Sequence, residues 1–167
     1  MAGVYGKGTG VIAYLAAPLF SQIERRWNRE LARLLAERVP GLTVILPQDF
    51  RIKGRYNDRK RFQLLFDRCV EAVSGADVVV AVLDGPDTDS GVSFEMGYAF
   101  AKDIPVVGVR TDFRQLQERG VNMMCSRACA EYVCRMSFGE SVEDLAGDVA
   151  RKIAAVARRK PPAARGE

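Results

Sequence analysis

An uninterrupted apolar run, Val78-Val79-Val80-Ala81-Val82-Leu83, restricts the fold of this chain more than any other segment. A run without polar alternation is typical of a strand buried on both faces, as in a parallel sheet covered by helices. The run ends at Asp84-Gly85, and a helix beginning after Asp89 carries Glu95 in its second turn. Because open parallel sheets bind ligands outside the carboxyl ends of their strands, these acidic residues are candidates for chemistry.

Short apolar runs alternate with longer amphipathic stretches elsewhere in the chain, which is the pattern of βαβ units. We predict strands at residues 11–15, 42–46, 77–83, 105–109 and 132–134, and helices at 21–38, 59–74, 91–102 and 141–158. With right-handed crossovers, this order of elements predicts an α/β fold with one domain, residues 1–157, on a doubly wound, flavodoxin-like parallel sheet. The predicted sheet has five strands in the order 2-1-3-4-5, with helices on both faces.

The excess positive charge is concentrated in residues 158–167, which hold four cations and one anion. The rest of the chain has 21 cations and 20 anions out of totals of 25 and 21. We therefore expect a disordered basic tail at 158–167 and a body without the basic face that nucleic-acid binding requires. No apolar run has the length of a membrane span and no secretory signal is recognisable, so a cytoplasmic protein without membrane contact is expected.

The absence of histidine limits the chemistry available to this chain. Residues 91–95, Gly-Val-Ser-Phe-Glu, partly match a nucleophile elbow, but a Ser-His-Asp triad cannot be built. Residues 6–10, Gly-Lys-Gly-Thr-Gly, precede the first strand, which favours a flexible lead-in over a phosphate-binding loop. Without a CxxC pair, free buried thiols are expected rather than a metal site at Cys69, Cys125, Cys129 and Cys134.

Glu95 is the acidic residue that a purely structural interpretation explains least well. Helix capping accounts for Asp89. Gly91 and Ala99, however, lie four residues either side of Glu95 on the same helical face, and their small size leaves a notch above its carboxylate. We expect the nearby helix N-terminus to keep Glu95 ionised, which suits a nucleophile.

Several short motifs occur in a fixed order along residues 11–125. They are 14–21 (Tyr-Leu-Ala-Ala-Pro-Leu-Phe-Ser), 46–48 (Leu-Pro-Gln), 76–85, 89–91 (Asp-Ser-Gly), 95–99 (Glu-Met-Gly-Tyr-Ala), 110–114 (Arg-Thr-Asp-Phe-Arg) and 122–123 (Asn-Met). Together they resemble the nucleoside 2'-deoxyribosyltransferases, which share their fold with the 2'-deoxynucleoside 5'-monophosphate N-glycosidases. The resemblance implies an enzyme of nucleotide salvage that exchanges nucleobases on deoxynucleosides and needs neither a cofactor nor a metal.

The resemblance also implies roles for individual residues. Glu95 would attack the anomeric carbon of the deoxyribose, and a second nucleobase would capture the glycosyl-enzyme ester. Asp89 would help to protonate the leaving base, and Tyr14 would hold the Glu95 carboxylate. Further substrate contacts are expected at Ala17, Phe20, Gln48, Asp49, Asp84, Gly91, Ser93, Asn122 and Met123. Asn122 would reach the site of a neighbouring subunit, which implies a homo-oligomer with a shared active site.

One position departs from the family pattern, because many members carry an aspartate where this chain has Cys69. Asp67 lies on another helical face and is no simple substitute. Two other functions stay open: hydrolysis of nucleoside monophosphates, and nucleotide binding without turnover, which the fold alone permits. Residues 17–20, Ala-Pro-Leu-Phe, are apolar where phosphate donors would be needed, which favours base transfer.

Overall fold

A six-stranded sheet forms the centre of the protein in a computed structural model that describes residues 4–6, 8, 10–55, 58–114, 120–136 and 138–159. The strands are β1 (Val4–Tyr5), β2 (Ile12–Ala16), β3 (Thr43–Ile45), β4 (Val78–Val82), β5 (Val106–Arg110) and β6 (Glu131–Cys134). Their order across the sheet is β1-β3-β2-β4-β5-β6. Strand β1 pairs with β3 in antiparallel orientation, and the other neighbours pair in parallel.

Helices cover both faces of this sheet. They are α1 (Gln22–Arg38), α2 (Arg59–Ser74), α3 (Ser90–Ala101), α4 (Met123–Ala128) and α5 (Val142–Arg159), and a short 3-10 helix spans Pro47–Asp49. Helices α1 and α5 pack together on one face, whereas α2, α3 and α4 follow one another on the other. No helix in the described part of the chain combines the length and apolar character needed to cross a membrane.

The predicted α/β fold and the predicted order of the five parallel strands are confirmed. The predicted number of strands is wrong, because Val4 and Tyr5 add β1 beside β3. A segment of two residues is too short to show a period of apolar side chains. Strand β1 is recognisable only by its pairing with β3, which lies about forty residues further along the chain. Helix α4 was also not predicted.

Three predictions fall partly on residues that the structure leaves undescribed. Lys7 and Thr9 of the glycine-containing lead-in lie outside the described residues, as do residues 160–167 of the predicted tail. Arg158 and Arg159 belong to α5, so the helix extends into the segment that was expected to be disordered. The sequence also predicts a polar loop or short helix at residues 110–120, and residues 115–119 of it are likewise undescribed.

Alternation along β2 assigns each of its side chains to one face of the sheet. Ala13 and Leu15 lie in the core that α1 and α5 cover. Tyr14 and Ala16 point the other way, into the core shared with Val92 and Met96 of α3. The sheet therefore presents Tyr14 to the helix that carries Glu95.

A capping box fixes the start of α1. The Ser21 hydroxyl accepts a hydrogen bond from the Glu24 backbone N–H at 3.1 Å, and Glu24 Oε2 accepts one from the Ser21 N–H at 2.7 Å. Both bonds satisfy donors that the first helical turn otherwise leaves without a partner. The predicted start of this helix at residue 21 coincides with the cap.

Replacing Ser21 by alanine is expected to lower the free energy of unfolding by about 1 kcal/mol, because the Glu24 N–H loses its acceptor. Chemical denaturation measures this change. Ser21→Asp is the matched control, since aspartate also caps helices, and it should stay close to the wild type. Equal losses in both variants would show that the cap is not the cause.

Candidate active site

A hydrogen bond between Tyr14 and Glu95 joins the sheet to α3. The Tyr14 hydroxyl donates to Glu95 Oε1 over 2.5 Å. Tyr14 is fully buried, and Glu95 is partly buried. A phenol donating to a carboxylate over this distance forms a strong, charge-assisted bond. One oxygen of Glu95 is therefore held in place, and no described residue is hydrogen-bonded to the other, Oε2.

Asp89 caps the N-terminus of the helix that carries Glu95. Its Oδ1 accepts hydrogen bonds from the backbone N–H groups of Gly91 at 2.9 Å and Val92 at 3.1 Å. The second oxygen, Oδ2, has no hydrogen bond to a described residue. Asp89 thus combines a structural cap, as predicted, with a carboxylate oxygen that remains available one and a half helical turns before Glu95.

Glu95 lines a cavity of about 300 Å³ between α2 and α3. Helix α2 contributes Phe66, Cys69, Val70 and Val73, and α3 contributes Gly91, Phe94, Glu95 and Tyr98. Glu95 is the charged member of this set. The Tyr98 hydroxyl is engaged with Ser74 Oγ at 2.8 Å. A small organic molecule in this cavity would therefore meet apolar walls, one carboxylate and one thiol.

Burial is the largest influence on the protonation of Glu95, and it raises the pKa to about 7. The Tyr14 hydrogen bond opposes this rise, and the charge of Asp89 adds to it. The expectation that the helix N-terminus keeps Glu95 ionised is therefore wrong. Glu95 is the sixth residue of α3, beyond the first turn where the helix dipole acts, and desolvation dominates.

Tyr14 itself stays protonated at every pH of interest. Burial and the charge of Glu95 raise the pKa of its phenol far above the ordinary value. Tyr14 therefore acts as a permanent donor that favours the charged form of Glu95. With Glu95 titrating near neutrality, the site can supply a carboxylate nucleophile at physiological pH.

The sequence profile of the nucleoside 2-deoxyribosyltransferases matches residues 13–147, which is most of the chain. The protein belongs to that family. Among curated proteins, none matches the sequence.

Several solved structures share the fold of this chain. A conserved protein from Enterococcus faecalis V583 is 29% identical, with a TM-score of 0.66 over 86% of this chain and 99% of that one. A 2-deoxyribosyltransferase from Bacillus psychrosaccharolyticus is 20% identical, with a TM-score of 0.66 over 81% and 90% of the two chains. The CMP N-glycosidase BcmB from Clostridium botulinum is 14% identical, with a TM-score of 0.53 over 86% and 98%.

Gln48 and Asp49, two of the predicted substrate contacts in this deoxyribosyltransferase-family chain, have side chains that are hydrogen-bonded to other residues of the protein. Gln48 Nε2 donates to the Arg25 carbonyl at 2.7 Å, and its Oε1 accepts from Asn28 at 3.0 Å. Asp49 forms an ion pair with Arg29 at 2.7 Å and accepts from the Tyr5 hydroxyl at 3.0 Å. In this structure both side chains hold the loop after β3 to α1 and β1.

Asp84 joins the loops that follow β4 and β5. Its Oδ1 accepts from the backbone N–H groups of Thr111 at 2.6 Å and Asp112 at 3.0 Å, and its Oδ2 accepts from the Thr111 hydroxyl. Arg110 is buried and donates to the Leu83 carbonyl at 2.5 Å. Both oxygens of Asp84 are thus occupied, and these bonds hold the loop that follows β5.

The remaining predicted substrate residues lie outside the cavity walls, except Gly91. Ser93 Oγ donates to the Asp89 carbonyl at 3.0 Å, and Asn122 caps α4 by accepting from the Met124 N–H at 2.9 Å. Ala17 is buried, whereas Phe20 and Met123 are 77% and 56% exposed. Among the described residues, the structure therefore brings together Tyr14, Asp89, Gly91 and Glu95, and leaves the others at a distance from this group or bound to the scaffold.

Most of the cavity walls were not predicted as parts of a site. Phe66, Cys69, Val70 and Val73 repeat at helical spacing, and this period predicts a face of α2 directed inward. This spacing is the sequence feature that could have identified these residues. It does not, however, distinguish a helix face packed in the core from a helix face that lines a cavity. No disulfide joins the four cysteines, as predicted, but the predicted burial is wrong, because Cys69, Cys125 and Cys129 are only partly buried and Cys134 is exposed. No group of metal-binding side chains forms in the described part of the chain.

Glu95 should titrate near pH 7, and Tyr14→Phe should move its pKa higher by about one unit. The direction follows because the phenol stabilises the carboxylate, and a hydrogen bond to a charged group is worth about 1.5–3 kcal/mol. NMR titration of carboxyl-labelled glutamate measures both values, with Glu95→Gln to assign the signal. An unchanged midpoint in Tyr14→Phe would contradict the assigned role of the phenol.

Asp84→Ala is expected to lower the free energy of unfolding by about 2 kcal/mol, because its three donors lose their acceptor. Asp87→Ala is the matched control on the same loop, since Asp87 is exposed and its side chain accepts from the adjacent Thr88 N–H. Its effect should stay within about 0.5 kcal/mol. Denaturation of the two variants side by side tests whether Asp84 supports the scaffold.

Proposed function

We propose that this protein is a nucleoside 2'-deoxyribosyltransferase that exchanges nucleobases on 2'-deoxyribose through a covalent glutamyl-deoxyribosyl intermediate. The observation that carries the proposal is a carboxylate on a cavity wall with one oxygen held by Tyr14 and a pKa of about 7. The family match supports the same reaction class. The exchange would serve nucleotide salvage in the cytoplasm.

Glu95 Oε2 attacks the anomeric carbon in the first step. A bond forms between Oε2 and C1', the glycosidic C1'–N bond breaks, and its electron pair leaves with the base. In the second step a nitrogen of the incoming base attacks C1' and releases the Glu95 carboxylate. Each displacement inverts C1', the first by attack opposite the leaving base and the second by attack opposite the carboxylate, so the configuration is retained overall, as in retaining glycosidases. A 2'-deoxy sugar leaves room for the carboxylate beneath the ring and eases departure of the base.

Asp89 is the group proposed to protonate the leaving base and to accept a proton from the incoming one. Its Oδ1 is fixed by two backbone N–H groups, so Oδ2 is the oxygen that can exchange a proton with substrate. Its charge also acts on Glu95, which places the two carboxylates within electrostatic range of each other. A pair of interacting carboxylates is the arrangement that glycoside chemistry uses.

The surfaces of α3 and α4 support the proposed homo-oligomer with a shared site. Helix α3 has no strongly polar face, and its Phe94 and Phe100 are 52% and 64% exposed. Met123 and Met124 of α4 are exposed as well. Exposed apolar side chains concentrated on adjacent helices are typical of an association surface. A partner covering this surface would bring its Asn122 region close to a neighbouring cavity.

One observation favours hydrolysis of a nucleoside monophosphate as a second candidate. Residues 51–61 hold six cations and one anion, and Arg51, Lys53 and Arg68 line a second cavity of about 480 Å³ together with Asp67 and Glu71. The first turn of α2 contains no acidic residue. Such a cationic segment beside the helix that lines the Glu95 cavity could attract a phosphate group.

Glu95→Gln should reduce base exchange by about a thousandfold or more, because the nucleophile is lost while the shape is kept. The assay incubates deoxyinosine with adenine and measures deoxyadenosine and hypoxanthine, with a deoxynucleoside monophosphate in parallel. Glu37→Gln, an exposed glutamate on α1, is the matched control. Melting temperatures verify that both variants fold.

The products decide between the candidates. Deoxyadenosine supports the transferase, whereas free base and sugar phosphate from the monophosphate support the hydrolase. Undiminished exchange in Glu95→Gln would refute the nucleophile. Stabilisation by deoxynucleosides without any product would favour a binding module.

A further inference from the structure

Two phenylalanines lie at the exposed rim of the Glu95 cavity. Phe66 of α2 and Phe94 of α3 line this cavity from opposite helices, and they are 50% and 52% exposed. Val73, at the other end of the α2 wall, is buried. Exposure therefore rises along the cavity wall from Val73 towards the two aromatic rings, which places the rings on the solvent side of Glu95.

The two rings are in contact with each other. Their centroids are 5.8 Å apart, and their planes are inclined by 47°. A flat molecule stacked between two parallel rings needs the rings about 7 Å apart, because carbon atoms in contact are separated by about 3.5 Å. Phe66 and Phe94 therefore have to move apart by about 1 Å, and turn towards parallel, before a flat molecule can lie between them.

Helix α3 holds its own ring in a defined orientation. The Phe94 ring stacks on Tyr98 one helical turn later, with centroids 6.5 Å apart and planes inclined by 1°. The Tyr98 hydroxyl is engaged with Ser74 Oγ at 2.8 Å, and Lys102 Nζ lies 5.7 Å from the centroid of the Tyr98 ring. Contacts of these kinds stabilise aromatic side chains in one arrangement. Phe94 thus presents an oriented ring to the cavity.

Helix α2 holds Phe66 less firmly. The buried residues of this helix are Ala72 and Val73, close to its C-terminus. In its first half, Phe62 and Phe66 are 48% and 50% exposed. Parts of a structure with little buried apolar surface move at a low cost in free energy. Phe66 is therefore the movable wall of the cavity rim, and Phe94 is the fixed one.

Few polar groups around this cavity are available to bind the hydrogen-bonding edge of a nucleobase. Gln48 and Asp49 are bound to the scaffold, and the Tyr98 hydroxyl is engaged. The Cys69 thiol is only a weak donor and a weak acceptor. Asp89 exchanges a proton in the proposed reaction, a step that every base requires, so it does not select among bases. Among the described residues, the cavity therefore offers a base mainly aromatic and aliphatic surface.

We propose that Phe66 and Phe94 form an aromatic clamp that recognises the nucleobase by its ring faces and leaves its hydrogen-bonding edge unread. The clamp presupposes the proposed function, in which Glu95 attacks the sugar carbon that carries the base. A base on that carbon lies in the same cavity of about 300 Å³ as the two rings. Because every base has a π-face, such a clamp accepts purines and pyrimidines and ranks them by their stacking surface.

Equilibrium binding of four free bases to the protein tests how the base is read. Adenine and hypoxanthine share one ring system but differ in a donor and an acceptor at C6, and cytosine and uracil differ in the same way at C4. Within each pair the dissociation constants should agree to about threefold, whereas a site built to hydrogen-bond the edge separates such pairs by orders of magnitude. The purines should bind about fivefold more tightly than the pyrimidines, because they bury more ring surface. Isothermal titration calorimetry measures all four constants.

Substitution of each ring tests the clamp itself. Phe66→Leu and Phe94→Leu keep an apolar side chain without the ring. Each should raise the KM for acceptor adenine by about tenfold with little change in kcat, because stacking holds the base equally before and during reaction. The difference between purines and pyrimidines should shrink. Phe66→Tyr retains the ring and should behave like the wild type. Phe62→Leu, on the same helix but outside the cavity walls, is the matched control.

Several outcomes would overturn the clamp. They are no binding of any of the four bases, a difference above about a hundredfold within either pair, and unchanged affinities in both leucine variants. A changed sedimentation coefficient in the leucine variants, with the ranking of the bases preserved, would assign the rings to association between subunits instead. Base binding needs no turnover, so it judges the clamp in a protein without exchange activity as well. Retained exchange in Glu95→Gln would refute the proposed function and leave the measured base affinities as they are.

Discussion

Desolvation of one carboxylate against the sheet is the constraint on which the candidate site depends. Glu95 loses much of its hydration between α2 and α3, and removing a carboxylate from water is costly unless it is hydrogen-bonded. Tyr14 donates one strong hydrogen bond to this carboxylate, which does not fully offset the lost hydration. The pKa of Glu95 is therefore raised to about 7. The apolar walls keep the carboxylate reactive, and the phenol keeps a useful fraction of it charged.

The other polar residues at this end of the sheet serve to fix the loops. Asp84, Asp49 and Gln48 each bind groups from a different part of the chain, so three loops are held to the scaffold by side chains at the strand ends. A rigid frame of this kind limits the movement of the groups around Glu95, and precise placement contributes strongly to catalysis. Asp84 and Asp49 thus hold the frame, whereas Glu95 lines the cavity.

The fold was predictable from local patterns, because apolar period and helix caps are properties of neighbouring residues. Helix α2 begins and ends where the spacing of its apolar residues indicates, and the strand order follows from the handedness of the crossovers. The partners of Gln48 and Asp49 lie twenty residues or more away, so no local pattern could reveal that their side chains are engaged. The ionisation of Glu95 was predicted wrongly for the same reason, since its burial depends on how closely α2 approaches.

Strand β1 has a consequence for how copies of the protein can associate. An unpaired edge of β3 would offer backbone donors and acceptors to another chain. The two residues of β1 pair with that edge in antiparallel orientation. A strand of two residues is itself too short to pair stably with a strand from another molecule. Growth of the sheet across molecules is thereby discouraged at this side. Association through this side of the sheet would therefore depend on packing of side chains rather than on the addition of strands.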